Sequence, residues 1–206
     1  MESLVGFVGY ECEDIGLYVA MIFHEMGKKI ALVDRTEQEM LLEMLEVQKD
    51  KATWVRKTEY AGIFITNQSV SLSEFDYIIY LFGYRLLHPK LYECETVLMV
   101  TDCIPAHALL LGKMDSWNRR NFLVLRNLIP MKHTEKYLAL LADCENGYCE
   151  IPYDERDIRM RGNLSYSNCG KLNRLSLGMK RGLVYILKFI LPESDEKVIW
   201  NMIKKL

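Results

Sequence analysis

Apolar residues in this chain fall into two alternating patterns. Short stretches are apolar at almost every position: "SLVGFVG" (3–9), "KKIALVD" (28–34), "AGIFITN" (61–67), "FDYIIYLFG" (75–83), "ETVLMVTD" (95–102), "NFLVLRN" (121–127) and the short core of "GYCEIPYD" (147–154). Between them apolar residues recur at helical spacing. A helix is predicted over 13–26, with Gly27 as its C-cap, and an amphipathic helix over 35–48, capped by Thr36 with Glu39 three residues on. Further helices are predicted over 105–117, opened by Pro105, over 133–143, and over 171–190 and 194–205, which Pro192 separates. Strands that are apolar throughout are buried on both faces, as in a parallel sheet covered by helices. The alternation predicts a three-layer, doubly wound α/β fold with a mostly parallel sheet of about seven strands.

The chain has 206 residues, half of them hydrophobic and 26% charged. That is enough for one core, and the whole of 1–206 is expected to form a single domain. The net charge is −2 and the basic residues are dispersed, so no nucleic-acid partner is expected. The start "MESLVGFVGYECED" has no basic segment before its apolar run, and no run reaches membrane-spanning length. The six cysteines, scattered and without an export signal, are expected to be reduced thiols in a cytoplasmic protein.

Ligands of such folds sit at the carboxyl ends of the strands, which draws attention to the first turn, "GFVGYECEDIGLYVA" (6–20). An apolar strand enters a glycine turn and then a helix, as in a phosphate-binding loop. Yet the turn carries Glu11, Glu13 and Asp14.

Several segments, in order, resemble the MinD/ParA family of deviant P-loop ATPases. "MGKKIALVD" (26–34) resembles that family's second strand, which ends in an aspartate, here Asp34. "FDYIIYLFG" (75–83) is similar to its Walker B strand, and "CETVLMVTDCIPAHALLLGKM" (94–114) to the next strand, loop and helix. "NFLVLRNLIP" (121–130) resembles the strand ending in Asn-Arg, and "CEIPYDERDIRMRGN" (149–163) the late I-P-Y-D segment around Pro152. The resemblance covers nearly the whole chain and implies a P-loop NTPase-like fold. It also implies a cytoplasmic localisation factor of the kind that positions cell-division, chromosome, flagellar, pilus or secretion machinery, with a lean towards pilus accessory proteins of the TadZ/CpaE type. Such relatives pair through the nucleotide face, which implies protein partners and a homodimer.

The chemistry departs from the family. Counted back from Gly27, the family's G-G-V-G-K-T-T falls on Val8, Gly9, Tyr10, Glu11, Cys12, Glu13 and Asp14. One glycine survives, Cys12 stands at the phosphate lysine, and Glu13 stands at the magnesium-binding hydroxyl. The Walker B aspartate falls on Leu81, the Pro-Pro after it on Gly83-Tyr84, and the adenine-side asparagine on Arg126. A phosphate loop works through backbone N–H groups, a helix N-terminus and a lysine. At an effective dielectric near 20 and about 6 Å, each carboxylate repels each phosphate charge by roughly 3 kcal/mol. The expectation is a pseudo-ATPase without cofactor or catalytic residues, its loop acids capping the first helix in place of a ligand. Two alternatives stand beside it: an atypical ATPase or switch using ATP with Mg²⁺ through a divergent loop, and direct cation binding by the acids.

Other candidates have ordinary readings. Cys144 and Cys149, C-x4-C, with His133 would be only part of a zinc site, and no metal site is expected; the "ENGY" turn explains the spacing. Cys12 at a helix start is read as a small buried side chain, because neighbouring acids oppose a thiolate. His24, His88, His107 and His133 show no catalytic spacing, and His107 is read as a residue on a helix flank. In the last helix Val198, Ile199, Met202, Ile203 and Leu206 share one face. They are expected to pack on the core, with contact to a membrane surface or a partner as the alternative. Tyr77 and Tyr80 are expected to pack; Tyr84, Trp117 and Tyr153 lie near loops and are candidates for an interaction surface.

Overall fold

The computed structural model describes residues 3–47, 53–114, 120–129, 134–144, 146–164 and 171–206. Its centre is an eight-stranded sheet in the order β3-β4-β2-β5-β1-β6-β7-β8. The strands are β1 (Ser3–Gly9), β2 (Ile30–Asp34), β3 (Lys57–Tyr60), β4 (Ile63–Thr66), β5 (Tyr77–Gly83), β6 (Thr96–Thr101), β7 (Arg120–Leu128) and β8 (Tyr148–Pro152). All neighbours are parallel except β3 and β4, which form an antiparallel hairpin.

Every residue of β2 and β6 is buried, because helices cover both sides of the sheet. The eighth strand, beyond the expected seven, is β3. Its "KTEY" is mostly polar and lies at the sheet edge with only Tyr60 buried, so it carries no run of apolar residues. Ala61 and Gly62, at φ +50° and +77°, form the two-residue tip of the hairpin.

The helices are α1 (Glu13–Glu25), α2 (Met40–Met44), α3 (Pro105–Leu111), α4 (Thr134–Leu141), α5 (Glu155–Gly162), α6 (Leu177–Ile190) and α7 (Glu196–Lys205). α1 is buried continuously from Glu13 to Phe23, since it lies between the sheet and the pair α6–α7. One core joins α1, α6 and α7 to the sheet around Phe7, Ile79, Leu81 and Ile151. The other lies under α3 and α4, around Val8, Tyr80, Phe82 and Leu125.

Three expectations are corrected. The helix predicted over 35–48 is only Met40–Met44, because Glu39 sits at φ +53° and the Asp34 carboxylate, rather than a Thr36–Glu39 box, accepts the Leu41 and Leu42 N–H groups at 2.8 and 3.1 Å. Thr36 helps by accepting the Met40 N–H at 2.7 Å. The helix predicted over 105–117 ends at Leu111, and that predicted over 171–190 begins at Leu177, where the Ser176 hydroxyl accepts the Met179 N–H at 2.9 Å. Gln48, residues 115–117 with Trp117, His133 and Cys169 lie outside the described residues.

α7 settles on the core. Ile199 and Ile203 are fully buried, and Trp200, Met202 and Leu206 pack partly against them, while Val198 is exposed. None of the described helices is long and apolar enough to cross a membrane.

Candidate functional site

The first strand–helix turn joins β1 to α1 at the carboxyl edge of the sheet. Gly9 takes φ +102°, and a Cβ there would lie 2.1 Å from the Val100 carbonyl oxygen of β6. Only glycine fits, and the Tyr10 N–H donates to that same oxygen at 2.9 Å. The one glycine that survives is thus required by the neighbouring strand. Glu11 follows in the left-handed region at φ +47°, which costs a non-glycine residue about 1 kcal/mol.

Two arginines hold this turn. Arg126 of β7 donates through Nη1 and Nη2 to the two carboxylate oxygens of Asp14, at 2.8 and 3.1 Å, and both side chains are almost wholly buried. Nη1 also donates to the backbone carbonyl of Glu11, which ties the strained residue down. Burial lowers the Arg126 pKa, but the Asp14 carboxylate outweighs it, and the guanidinium is held above its ordinary range. Arg161 of α5 is the second clamp, 2.5 Å from the Glu11 carboxylate and 3.7 Å from that of Glu13.

The position of Arg161 is itself built. Asp157, one turn earlier, accepts the Ser176 N–H and hydroxyl at 2.7 and 2.6 Å and so fastens α5 to the start of α6.

Glu13 and Asp14 lie in the first turn of α1 and Glu11 just before its N-cap, at the start of the helix as expected, but capping is a small part of their role. Cys12 occupies the N-cap without a side-chain capping bond, and of the free N–H groups at the helix start Asp14 accepts only that of Ile15, at 3.0 Å. Glu13 is buried, and its Oε2 has no hydrogen-bond partner. Burial, with the charge of Asp14 adding, pushes its carboxyl up to about 7. Burial also drives the Cys12 thiol well up, Glu13 adding to the effect, so that Cys12 is a protonated core residue.

Beneath the turn, Leu81 is fully buried beside Phe7 and meets α1 at Gly16, where a Cβ would come within 2.5 Å of its side chain. Asp34 lies opposite Leu81 in the neighbouring strand. Its two oxygens accept the Thr36 N–H and hydroxyl and the Leu41 and Leu42 N–H groups. Burial still raises its pKa despite those four bonds. Pro152 ends β8 and packs at 2.8 Å from a Cβ placed on Gly178, holding the sheet edge against α6.

His107 is more than a residue on a helix flank. Its Nδ1 lies 2.8 Å from Asp102 Oδ1, and its ring stacks on Tyr10 at 5.0 Å with Tyr84 tilted against it at 5.9 Å. This Tyr10–His107–Asp102–Tyr84 cluster closes the β6 side of the turn. Arg161, Asp102 and this stacking were not legible in residue spacing. Tyr77 stacks on Phe23 and Tyr80 on Phe82 as expected, and Tyr84 and Tyr153 are exposed. Among the described residues no group of three or more metal-ligating side chains is assembled, and Cys144 contacts the Asn121 and Gly147 carbonyls.

No family model and no curated protein matches the sequence. Solved structures match the fold over almost its whole length. A ParA family ATPase from Chlorobium tepidum TLS superposes with a TM-score of 0.61 at 15% identity, covering 98% of this chain and 97% of that one. A protein described as a plasmid partition protein, from Borrelia burgdorferi B31 and bound to AMPPNP, gives 0.63 at 11% identity over 94% and 100% of the two chains. A second plasmid partition protein from Borrelia burgdorferi gives 0.54 at 11% identity over 81% and 97%. The fold is that of the ParA-family ATPases. On a ParA fold, Gly9–Asp14 is the turn between the first strand and first helix, and Arg126 and Arg161 reach it from later elements.

Proposed function

We propose that this chain is a pseudo-ATPase: a protein with the ParA/MinD fold that has given up nucleotide and acts as a scaffold or localisation factor through protein contacts. One observation carries the reading. The turn that would cradle phosphates is filled by the protein's own ions, with Asp14 paired in two bonds to Arg126, and Arg161 on Glu11 and Glu13.

The residues do not fit a triphosphate with Mg²⁺. No lysine lies in the turn, three carboxylates do, and the two arginines that could attract phosphate are already paired with those carboxylates. Leu81 is a packed core residue at the position where the resemblance puts a metal-associated aspartate. Asp34, the surviving aspartate, has both oxygens occupied in holding α2. Admitting phosphates would mean opening the Asp14–Arg126 pair and leaving a carboxylate buried beside them.

The finer part of the proposal is the setting. By the resemblance to TadZ/CpaE proteins, the apparatus served is a pilus or secretion assembly, and any pairing through the crevice face is independent of nucleotide.

Phosphate release and sedimentation of the purified chain test the proposal together. The expected result is no phosphate release from Mg·ATP and one sedimentation coefficient with and without nucleotide. Turnover, or a change of association state on adding Mg·ATP, would establish the divergent-loop ATPase instead.

A further inference from the structure

One edge of the sheet is open. β3 is the last strand on its side, and β4 takes up only half of its backbone groups. The tip at Ala61 and Gly62 makes Tyr60 and Ile63 a hydrogen-bonded pair, and in an antiparallel ladder such pairs recur at every second residue. Thr58 is therefore bonded to Ile65, and in the same phase the Asn67 N–H donates to the Arg56 carbonyl at 3.1 Å. The N–H and C=O groups of Lys57 and Glu59 point the other way, and among the described residues nothing pairs with them. Both side chains are exposed, share the outer face of the strand and form no ion pair among the described residues.

An open edge is a template for another strand, and β3 has neither a proline nor a bulge to prevent pairing. Outward residues must meet outward residues, so a second antiparallel copy of β3 can dock only in registers two residues apart. Two of these place Lys57 on the partner's Lys57, or Glu59 on the partner's Glu59, and like charges directly opposite repel. The register between them puts a two-fold axis at Thr58. Lys57 then faces the partner's Glu59, and Glu59 faces the partner's Lys57. Each of these pairs exchanges two backbone hydrogen bonds, and the two threonines meet on the other face.

The surroundings agree with that register. It brings Trp54, 72% exposed, to Ala61 and Gly62 of the partner's hairpin tip, so an exposed aromatic gains cover. Glu74 shares a groove with Lys57, while Lys28 and Lys29 share one with Glu59. The two-fold therefore turns the acid of one copy towards the bases of the other.

From this self-complementarity we infer that the chain forms a two-fold dimer through β3, joining the two sheets into one continuous sheet. The interface closes on itself, whereas joining β3 to the partner's β8 would leave a free edge on every copy. The inference goes beyond the scaffold reading and does not depend on it, since β3 lies at the sheet edge and not at the β1–α1 turn.

Sedimentation velocity from micromolar to millimolar protein, with charge-reversed variants, tests this. The native chain should pass from monomer to dimer, with the Lys57 and Glu59 amide protons gaining protection from exchange as it does. Lys57→Glu and Glu59→Lys each set like charges opposite one another twice, and each should weaken self-association at least about tenfold. Mixed in equal amounts they restore both opposite-charge pairs and should form a heterodimer of native affinity. Lys57→Glu/Glu59→Lys in one chain should dimerise as the native chain does. Both residues are exposed, so an unchanged melting temperature shows that each variant is folded.

A native chain that stays monomeric throughout would overturn the inference. So would a dimer that both single variants leave intact, which would place the interface elsewhere, or open-ended polymers. Single variants that lose the dimer without recovering it on mixing would also overturn it. Nucleotide binding would defeat the pseudo-ATPase reading and leave these results unchanged.

Discussion

Asp14 and Arg126 are 112 residues apart in sequence and form a two-bond ion pair in the interior, joining the first turn of α1 to β7. Their side chains are 1% and 3% exposed, so the pair sits in a medium where neither charge tolerates being alone. This pair, with Arg161, makes the turn self-contained.

Removing one member leaves the other charge buried. Arg126→Met should destabilise the fold by about 3–5 kcal/mol, and adding Asp14→Leu should recover most of the loss, because a packed apolar pair of similar volume replaces the ions at little net cost. Urea denaturation of the two single variants and the double variant checks this. Additive losses would show that the two residues act separately.

Glu13 makes stability depend on pH. Its folded-state pKa, about 7, lies above the ordinary 4.5. Between these values the unfolded chain has lost the proton that the folded chain still holds, so stability falls as pH rises and falls no further above about 7. Asp34, also raised by burial, acts in the same direction. Glu13→Gln should gain on the native chain by up to about 3 kcal/mol between pH 4.5 and 7. A stability difference that does not vary with pH would contradict this.

Asp34 is the anchor of α2. Asp34→Ala removes the acceptor for four donors and should cost about 3 kcal/mol, with α2 losing amide protection first. Hydrogen exchange at Leu41 and Leu42 reads it. Unchanged protection there would show that α2 is held by packing alone.

The C-terminal helix contributes to the core. Ile203→Ala should cost about 2–4 kcal/mol and Val198→Ala less than about 0.5, since Ile203 is fully buried and Val198 is 43% exposed. In co-sedimentation with vesicles rich in anionic lipid, the native chain should stay in the supernatant.

What could be read from the residues follows from what shapes each element. β1, β2, β5 and β6 are buried on both faces, so burial writes itself as unbroken apolar runs such as "IALVD" and "TVLMVT". β3 is an edge strand held by its turn and by pairing with β4, neither of which requires apolar residues. The short α2 escaped notice because the local pattern over 35–48 is helical, while a tertiary contact, Asp34 reaching Leu41 and Leu42, decides where the helix begins.

The turn itself was legible only in part. Glu11, Glu13 and Asp14 stand where phosphate-binding groups would be expected, and their placement at the start of α1 follows from the strand–turn–helix pattern. Their partners did not follow, because Arg126 and Arg161 are brought in by β7 and α5, more than a hundred residues later. Likewise His107 lies five residues after Asp102, but its stacking on Tyr10 depends on β1 and β6 being neighbours. Neutralising Asp14 or Asp34 probes folding, because Asp14 pairs with Arg126 and Asp34 holds α2.

The most direct measurement is calorimetric titration of the purified chain with Mg·ATP and Mg·ADP, with thermal unfolding alongside. A ligand that binds only the folded state must stabilise it, by about 2.7 kcal/mol at a hundred times its dissociation constant. The closed turn predicts no heat of binding and no shift in melting temperature at millimolar nucleotide. A saturable heat together with a raised melting temperature would contradict it, and would mean that Arg126 and Arg161 exchange their carboxylates for phosphate.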